Sequence, residues 1–238
     1  MHFHLPKPLH GWREFVGEVG IIVVGVLIAL GAEQLVEQWQ WRNKVHDTTA
    51  QLNAELNRDA RAAYAGLVVG PCLDQQLVAI DAALASARQT GRVQATPAFT
   101  PPLHVFTEDT WLNARGLEVA DHLSPEAIRK YSRLFFFPRD LAGTVVELHK
   151  EGAELRPLAS GLAPVSTEEV GDYQRKVGRI HELLDRVELG DTLLLRELRP
   201  EGIGLSRAEE SEALHAVAKW AGKCVSAPDL NRQFAKGD

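Results

Sequence analysis

The chain has 238 residues, of which 45% are hydrophobic and 24% charged, with a formal net charge of −6. That balance supports a packed core and excludes wholesale disorder, and the acidic sign argues against a general nucleic-acid binder, which needs a basic face to neutralise phosphates. Alanine and leucine are plentiful and β-branched runs are rare outside one early segment, so an all-α protein is predicted, long enough for one anchor and one domain.

Residues 1–11 read as a short cytoplasmic amino terminus; His2, His4 and His10 belong to this terminus and are not taken as a metal site. Residues 12–41 read as a transmembrane anchor with interfacial flanks. From Val19 to Ala32 no residue is charged or strongly polar, and as a helix those positions span about 21 Å, less than the roughly 30 Å hydrocarbon layer. The flanks complete the span. Trp12 lies before the run and Trp39 and Trp41 after it, and Trp12 to Trp39 covers about 40 Å of helix, the separation of the two tryptophan belts of a bilayer. Glu18 and Glu33 then fall just inside the two edges, where a carboxylate reaches the interface at far lower cost than at the centre.

A cleaved signal is the main alternative, since Ala29-Leu30-Gly31 offers small residues for a peptidase. Against it, Glu14 and Glu18 abut the apolar run and the helical pattern continues past the cut. Basic residues are nearly balanced, with Lys7 and Arg13 before the span and Arg42 and Lys44 after it. The short front segment therefore sets the expected orientation: amino terminus inside, main domain outside. Glu18, Gly25, Ala29, Ala32 and Glu33 share one helix face. The small residues among them allow close backbone approach and predict association with a second copy or another protein within the bilayer.

The stretch "HGWREFVGEVGIIVVGVLIALGAEQLVEQWQWR" resembles the amino-terminal signature of a family of uncharacterised bacterial proteins. In that family a Gly-Glu pair leads into an apolar run and a helical domain follows; the matching residues here are Gly17, Glu18, Gly25, Leu27, Ile28 and Ala29. The resemblance covers about 30 residues and implies an inner-membrane protein with a periplasmic domain. It brings no catalytic residues and no cofactor.

Residues 42–225 are predicted to form a bundle of about six helices, with 226–238 as a tail. Val45, Thr49, Leu52, Leu56, Ala60, Ala63 and Leu67 form an apolar stripe on the continuing first helix. Gly70-Pro71 reads as a stop, after which Leu73, Leu77, Ile80, Leu84 and Ala87 predict a second helix, antiparallel to the first. Residues 91–103, with Pro97, Pro101 and Pro102, read as a loop. A short helix is expected from Glu108 to Arg115, capped by Thr107. Ser124-Pro125 starts another, broken near Pro138 and resuming to about Leu155. Ser166-x-x-Glu169 and Ser206-x-x-Glu209 are capping boxes that predict helices over 167–198 and 207–222.

The two cysteines, Cys72 and Cys224, are a disulfide pair if the domain is exported. No catalytic, metal or cofactor signature is present. His181-Glu182-Leu183-Leu184-Asp185 begins like a zinc-protease helix but has Asp where the second histidine is required. Phe135, Phe136 and Phe137 cannot all face one core, so this stretch is a candidate partner surface. The sequence thus predicts a non-enzymatic, membrane-anchored interaction module. A small-ligand sensor working through a membrane partner and an envelope enzyme without a local motif are the alternatives.

Overall fold

The computed structural model describes residues 11–101 and 105–221, together with 225 and 228. The regular elements of the described chain are all helices. Helix α1 (Trp12–Thr90) is followed by α2 (Asp109–Gly116), α3 (Pro125–Leu134), α4 (Phe136–Ala153), α5 (Thr167–Leu198) and α6 (Arg207–Ala221). The only strand-like pairing among these residues is a bridge in which Val93 and Leu162 exchange two 2.9 Å backbone hydrogen bonds. It ties the loop after α1 to the turn before α5. Gly161 makes that turn at φ +74°, where an added Cβ would sit 3.0 Å from the Val93 carbonyl.

The chain divides into two compact units, residues 1–48 and 49–238. Within the first, residues 12–48 belong to α1 and present their apolar side chains outward. The second unit holds the core. Its part of α1 buries Leu52, Leu56, Ala60, Ala63 and Leu67, then Leu73, Leu77, Ile80, Leu84 and Ala87, as the two predicted stripes require.

Those stripes lie on one helix, and this corrects the expected hairpin at Gly70-Pro71. Proline removes one helical donor and crowds the residue before it, chiefly through that residue's Cβ. Gly70 has no Cβ to meet the proline ring, and beyond its chain neighbours and the helix's own backbone nothing lies within 4 Å of where one would be. Leu67, Cys72 and Leu73 are buried on either side of the proline, so the apolar face carries the helix across it. Among the described residues five α-helices follow the long α1, so the bundle beyond that helix has five members and not the expected six or so.

Polar ties fix the directions of the bundle helices. On α1 and α5, Arg88 donates to Gln174 at 2.5 Å and Asp81 lies 3.7 Å from His181. Glu154, which caps α4, and Glu147 and Asp140 within it meet Lys176, Arg179 and Arg186 of α5 in turn, at 2.7–2.9 Å. In both pairs one number rises as the other falls, so α5 runs antiparallel to α1 and to α4. These exposed ion pairs report register more than stability. The stability lies in the apolar layer between them, with Leu141, Val145 and Leu148 of α4 and Val177, Ile180, Leu184 and Leu194 of α5 buried.

The remaining helices begin where caps permit. Ser124 Oγ accepts the Ala127 N–H at 3.1 Å, and Ser166 and Glu169 form the reciprocal box at the head of α5. Ser206 and Glu209 do the same for α6. The break between α3 and α4 falls at Phe135, upstream of Pro138. Proline is tolerated in the first turn of a helix, where its missing donor has no partner to lose, so Pro138 lies inside α4.

Candidate functional site

The residues singled out in the anchor are exposed. Trp12 and Trp39 are 77% and 64% exposed, and Lys44 lies 4.3 Å from the centre of the half-buried Trp41 ring. Glu18, Gly25, Ala29, Ala32 and Glu33 all lie on the open surface of α1, and nothing approaches within 4 Å of a Cβ position at Gly25. The start of α1 is long and apolar enough to cross a membrane by length and composition, and none of its most apolar window is buried.

The three phenylalanines separate. Phe135 is 1% exposed and stacks on Trp111 at 6.2 Å between ring centres, with Tyr131 completing the cluster. It is therefore core, not partner surface. Phe136 is 61% exposed and meets the half-buried Phe137 edge to face at 5.4 Å. Cys72 is buried and engaged, while Cys224, Pro102 and the three amino-terminal histidines lie outside the described residues.

Two groups of acids were not anticipated, one wholly buried and one with a single buried member. The first joins α1 to the head of α2. Glu55 and Asp59, one helical turn apart, are 1% and 0% exposed. Glu55 accepts the Thr107 hydroxyl at 2.6 Å and the Thr110 N–H at 3.1 Å; Asp59 accepts the Thr107 N–H at 3.2 Å. Thr107 is thus not the expected side-chain cap of α2. Its hydroxyl donates away to Glu55, and a carboxylate from another helix satisfies the α2 terminus instead. Burial, and secondarily the charge of Glu55, push the Asp59 carboxyl up to about 7, partly opposed by the Thr107 N–H and by Arg58.

The second group lines a cleft between α1, α4 and α5, with about 510 Å³ of empty space that includes open solvent. Val69, Leu73, Val145, Leu148 and Val187 form apolar walls, all buried. Asp74 on α1 and Asp185 and Glu188 on α5 stand exposed at its rim. Asp191 also lines it but is 0% exposed, and neither carboxylate oxygen has a hydrogen-bond partner. A Cβ at Gly190 would fall 2.6 Å from Leu141 Cδ2, so glycine there lets α4 lie close against α5.

Every acid at this cleft for which a shift is resolved holds its proton more tightly than an isolated carboxyl. Asp191 is raised well above the ordinary range by burial and then by Glu188. Glu188 is raised by burial and by the charges of Asp74 and Asp185. Asp74 is raised by burial and by Asp185, with His181 acting against both. Among the described residues, no lysine, arginine or histidine lines the cleft. Among the described residues, no group of three or more His, Cys, Asp or Glu could hold a metal ion.

Asp185, Glu188 and Asp191 are spaced i, i+3, i+6, one face of one helix. The missed signal was Asp191, which occupies a position in the apolar series Leu184, Val187, Leu194, Leu198 where a hydrophobic residue is the rule. Comparison with family models, with curated proteins and with solved structures finds no match for this chain.

Proposed function

We propose that this protein is a single-pass, membrane-anchored interaction module, non-enzymatic, held in a bacterial inner membrane with its helical domain in the periplasm. One observation carries the reading: the apolar run of α1 is exposed although the chain has a buried core elsewhere. Ile21, Ile22, Val23, Val24, Val26, Leu27, Ile28 and Leu30 are each about half exposed or more. At ~1.5 kcal/mol or more per side chain, leaving this run in water forgoes roughly 12 kcal/mol of transfer free energy, comparable to the whole stability of a domain. A helix of this length and composition finds that free energy in a bilayer.

The periplasmic side rests on the family resemblance over residues 10–42. Export would place Cys72 in an oxidising compartment, where a bridge to Cys224 would close a loop of about 150 residues and stabilise by up to ~5 kcal/mol on chain-entropy grounds. Within the bilayer, the Glu18, Gly25, Ala29, Ala32 and Glu33 face is the surface for a second copy or another anchor helix; Phe136 and Phe137 offer an apolar contact outside it.

Protein taken from carbonate-washed membranes tests this by intact mass and thiol alkylation. The expected result is a full-length mass with both cysteines blocked until reduction. Release by carbonate, or a mass that begins near Ala32, would overturn the anchor. Free thiols on a full-length membrane protein would instead move the domain to the cytoplasmic side.

A further inference from the structure

Asp191 lies in the seam between α1, α4 and α5, fully buried. Solvent reaches neither of its oxygens, and neither has a hydrogen-bond partner among the described residues. An ionised carboxylate there would be a buried charge with no counter-ion and no donor, which is strongly unfavourable. The neutral acid is the form that the closed packing admits. The groups facing it oppose ionisation further: α1 presents Asp74, and α5 itself presents Asp185 and Glu188. From α4 come Val145 and Leu148, while its Asp140 and Glu147 are paired with the exposed Arg186 and Arg179. His181 favours the ionised form of Asp74 and lies 3.7 Å from Asp81, but it does not line the seam.

Loss of the Asp191 proton would leave a charge beneath apolar walls and beside three further acids. That charge can be hydrated only if the helices part, because the closed seam seals both oxygens. The packing is close, since a Cβ at Gly190 would meet Leu141 Cδ2 at 2.6 Å. The polar ties across it, Arg88 to Gln174 and the α4–α5 ion pairs, are exposed and individually weak. We propose that this seam is a proton-controlled latch: a protonated Asp191 lets α1, α4 and α5 close, and release of the proton parts them and admits water to the walls of Val69, Leu73, Val145 and Leu148. Burial, and then Glu188, hold the Asp191 carboxyl well above the ordinary range. Closure is therefore fully present below the ordinary Asp range and is lost as pH rises through the raised value. Between those limits one proton leaves per opening, so the opening constant grows up to about tenfold per pH unit.

Hydrogen exchange of the full-length protein in detergent tests the latch, read by mass spectrometry as protection relative to an unstructured chain at the same pH. An Asp59→Asn background removes the other buried acid that titrates in this domain. With Asp191 intact in that background, peptides over residues 184–195 should lose protection by about three- to tenfold per unit between about pH 6 and pH 8. Peptides of α3, away from the seam, should change by less than about twofold. Asp191→Asn, and Asp191→Leu, which matches Asp in heavy-atom count and suits the apolar series of α5, should each hold the 184–195 protection level within about twofold. Circular dichroism identifies which of the two folds. Protection at 184–195 that ignores pH would overturn the latch, as would an undiminished pH dependence in either folded variant. A loss of equal size in α3 would also overturn it, since the titration would then belong to global unfolding.

Discussion

Asp59 shows how one buried acid couples folding to pH. Its carboxyl titrates at about 7 in the folded protein against 3.8 for an unperturbed Asp, chiefly through burial. The folded state therefore holds a proton that the unfolded chain releases. The contribution of this neutral acid is fully present below about pH 4 and is lost as pH rises through about 7. A shift of this size corresponds to a change on the order of 4 kcal/mol across the window. Asp59→Asn keeps an acceptor for the Thr107 N–H and cannot ionise. We expect the variant to be within about 1 kcal/mol of wild type at pH 5 and about 2 kcal/mol or more stabler at pH 8. Thermal melts of the two proteins at both pH values measure this; a constant difference between them would mean that Asp59 does not titrate in the fold.

The same residue scale explains which parts of the site were hidden in the sequence. Glu55 and Asp59 follow a helical spacing and look like the solvated face of an amphipathic helix. Only the fold brings Thr107 and Thr110 over them, 48 to 55 residues away. Asp74 and Asp191 are still further apart in sequence, and exposed carboxylates such as Asp185 and Glu188 carry no local mark. Phe135 was legible in part: three consecutive phenylalanines must diverge, and the structure assigns one to the core and one to the surface.

Among the elements, α5 and α6 were readable because their start signals are local chemistry. A serine three residues before a glutamate closes two hydrogen bonds within one turn, whatever the remaining chain does. Gly70-Pro71 misled for the opposite reason. The pair is a common helix stop, but a stop is a balance, and here an apolar face that is buried on both sides outweighs it. This makes a test by double substitution. Pro71→Ala restores a donor for the Leu67 carbonyl and is expected to stabilise by about 1–3 kcal/mol. Gly70→Ala alone should give no gain, since its Cβ would meet the proline ring. In the Pro71→Ala background the same change should add ~0.5–1 kcal/mol, the ordinary helical advantage of alanine over glycine, in a space with nothing within 4 Å. The three proteins and wild type form a cycle in denaturant midpoint. Additive effects would show that Gly70 is not what lets α1 pass the proline.

At the scale of the molecule, one helix serves two units that obey different rules. Residues 12–48 of α1 bury almost nothing, whereas residues 49–90 supply a core stripe, the Glu55 and Asp59 cap of α2 and the Asp74 side of the cleft. The second unit holds its own buried layer of α1, α4 and α5 residues and its own aromatic cluster around Trp111. The boundary between the two units falls between Thr48 and Thr49. A chain beginning at Thr49 should therefore fold as a soluble domain with a cooperative melt. Its first turn would expose backbone donors that the full-length helix satisfies internally, a cost of about 1 kcal/mol that a serine or aspartate cap could recover. For a domain of roughly 190 residues such a loss lowers the midpoint by about 2–4 °C. Circular dichroism melts of this fragment and of the full-length protein in the same detergent make the comparison. A fragment that is helical but melts without cooperativity would show that the first unit contributes to the fold as well as to location.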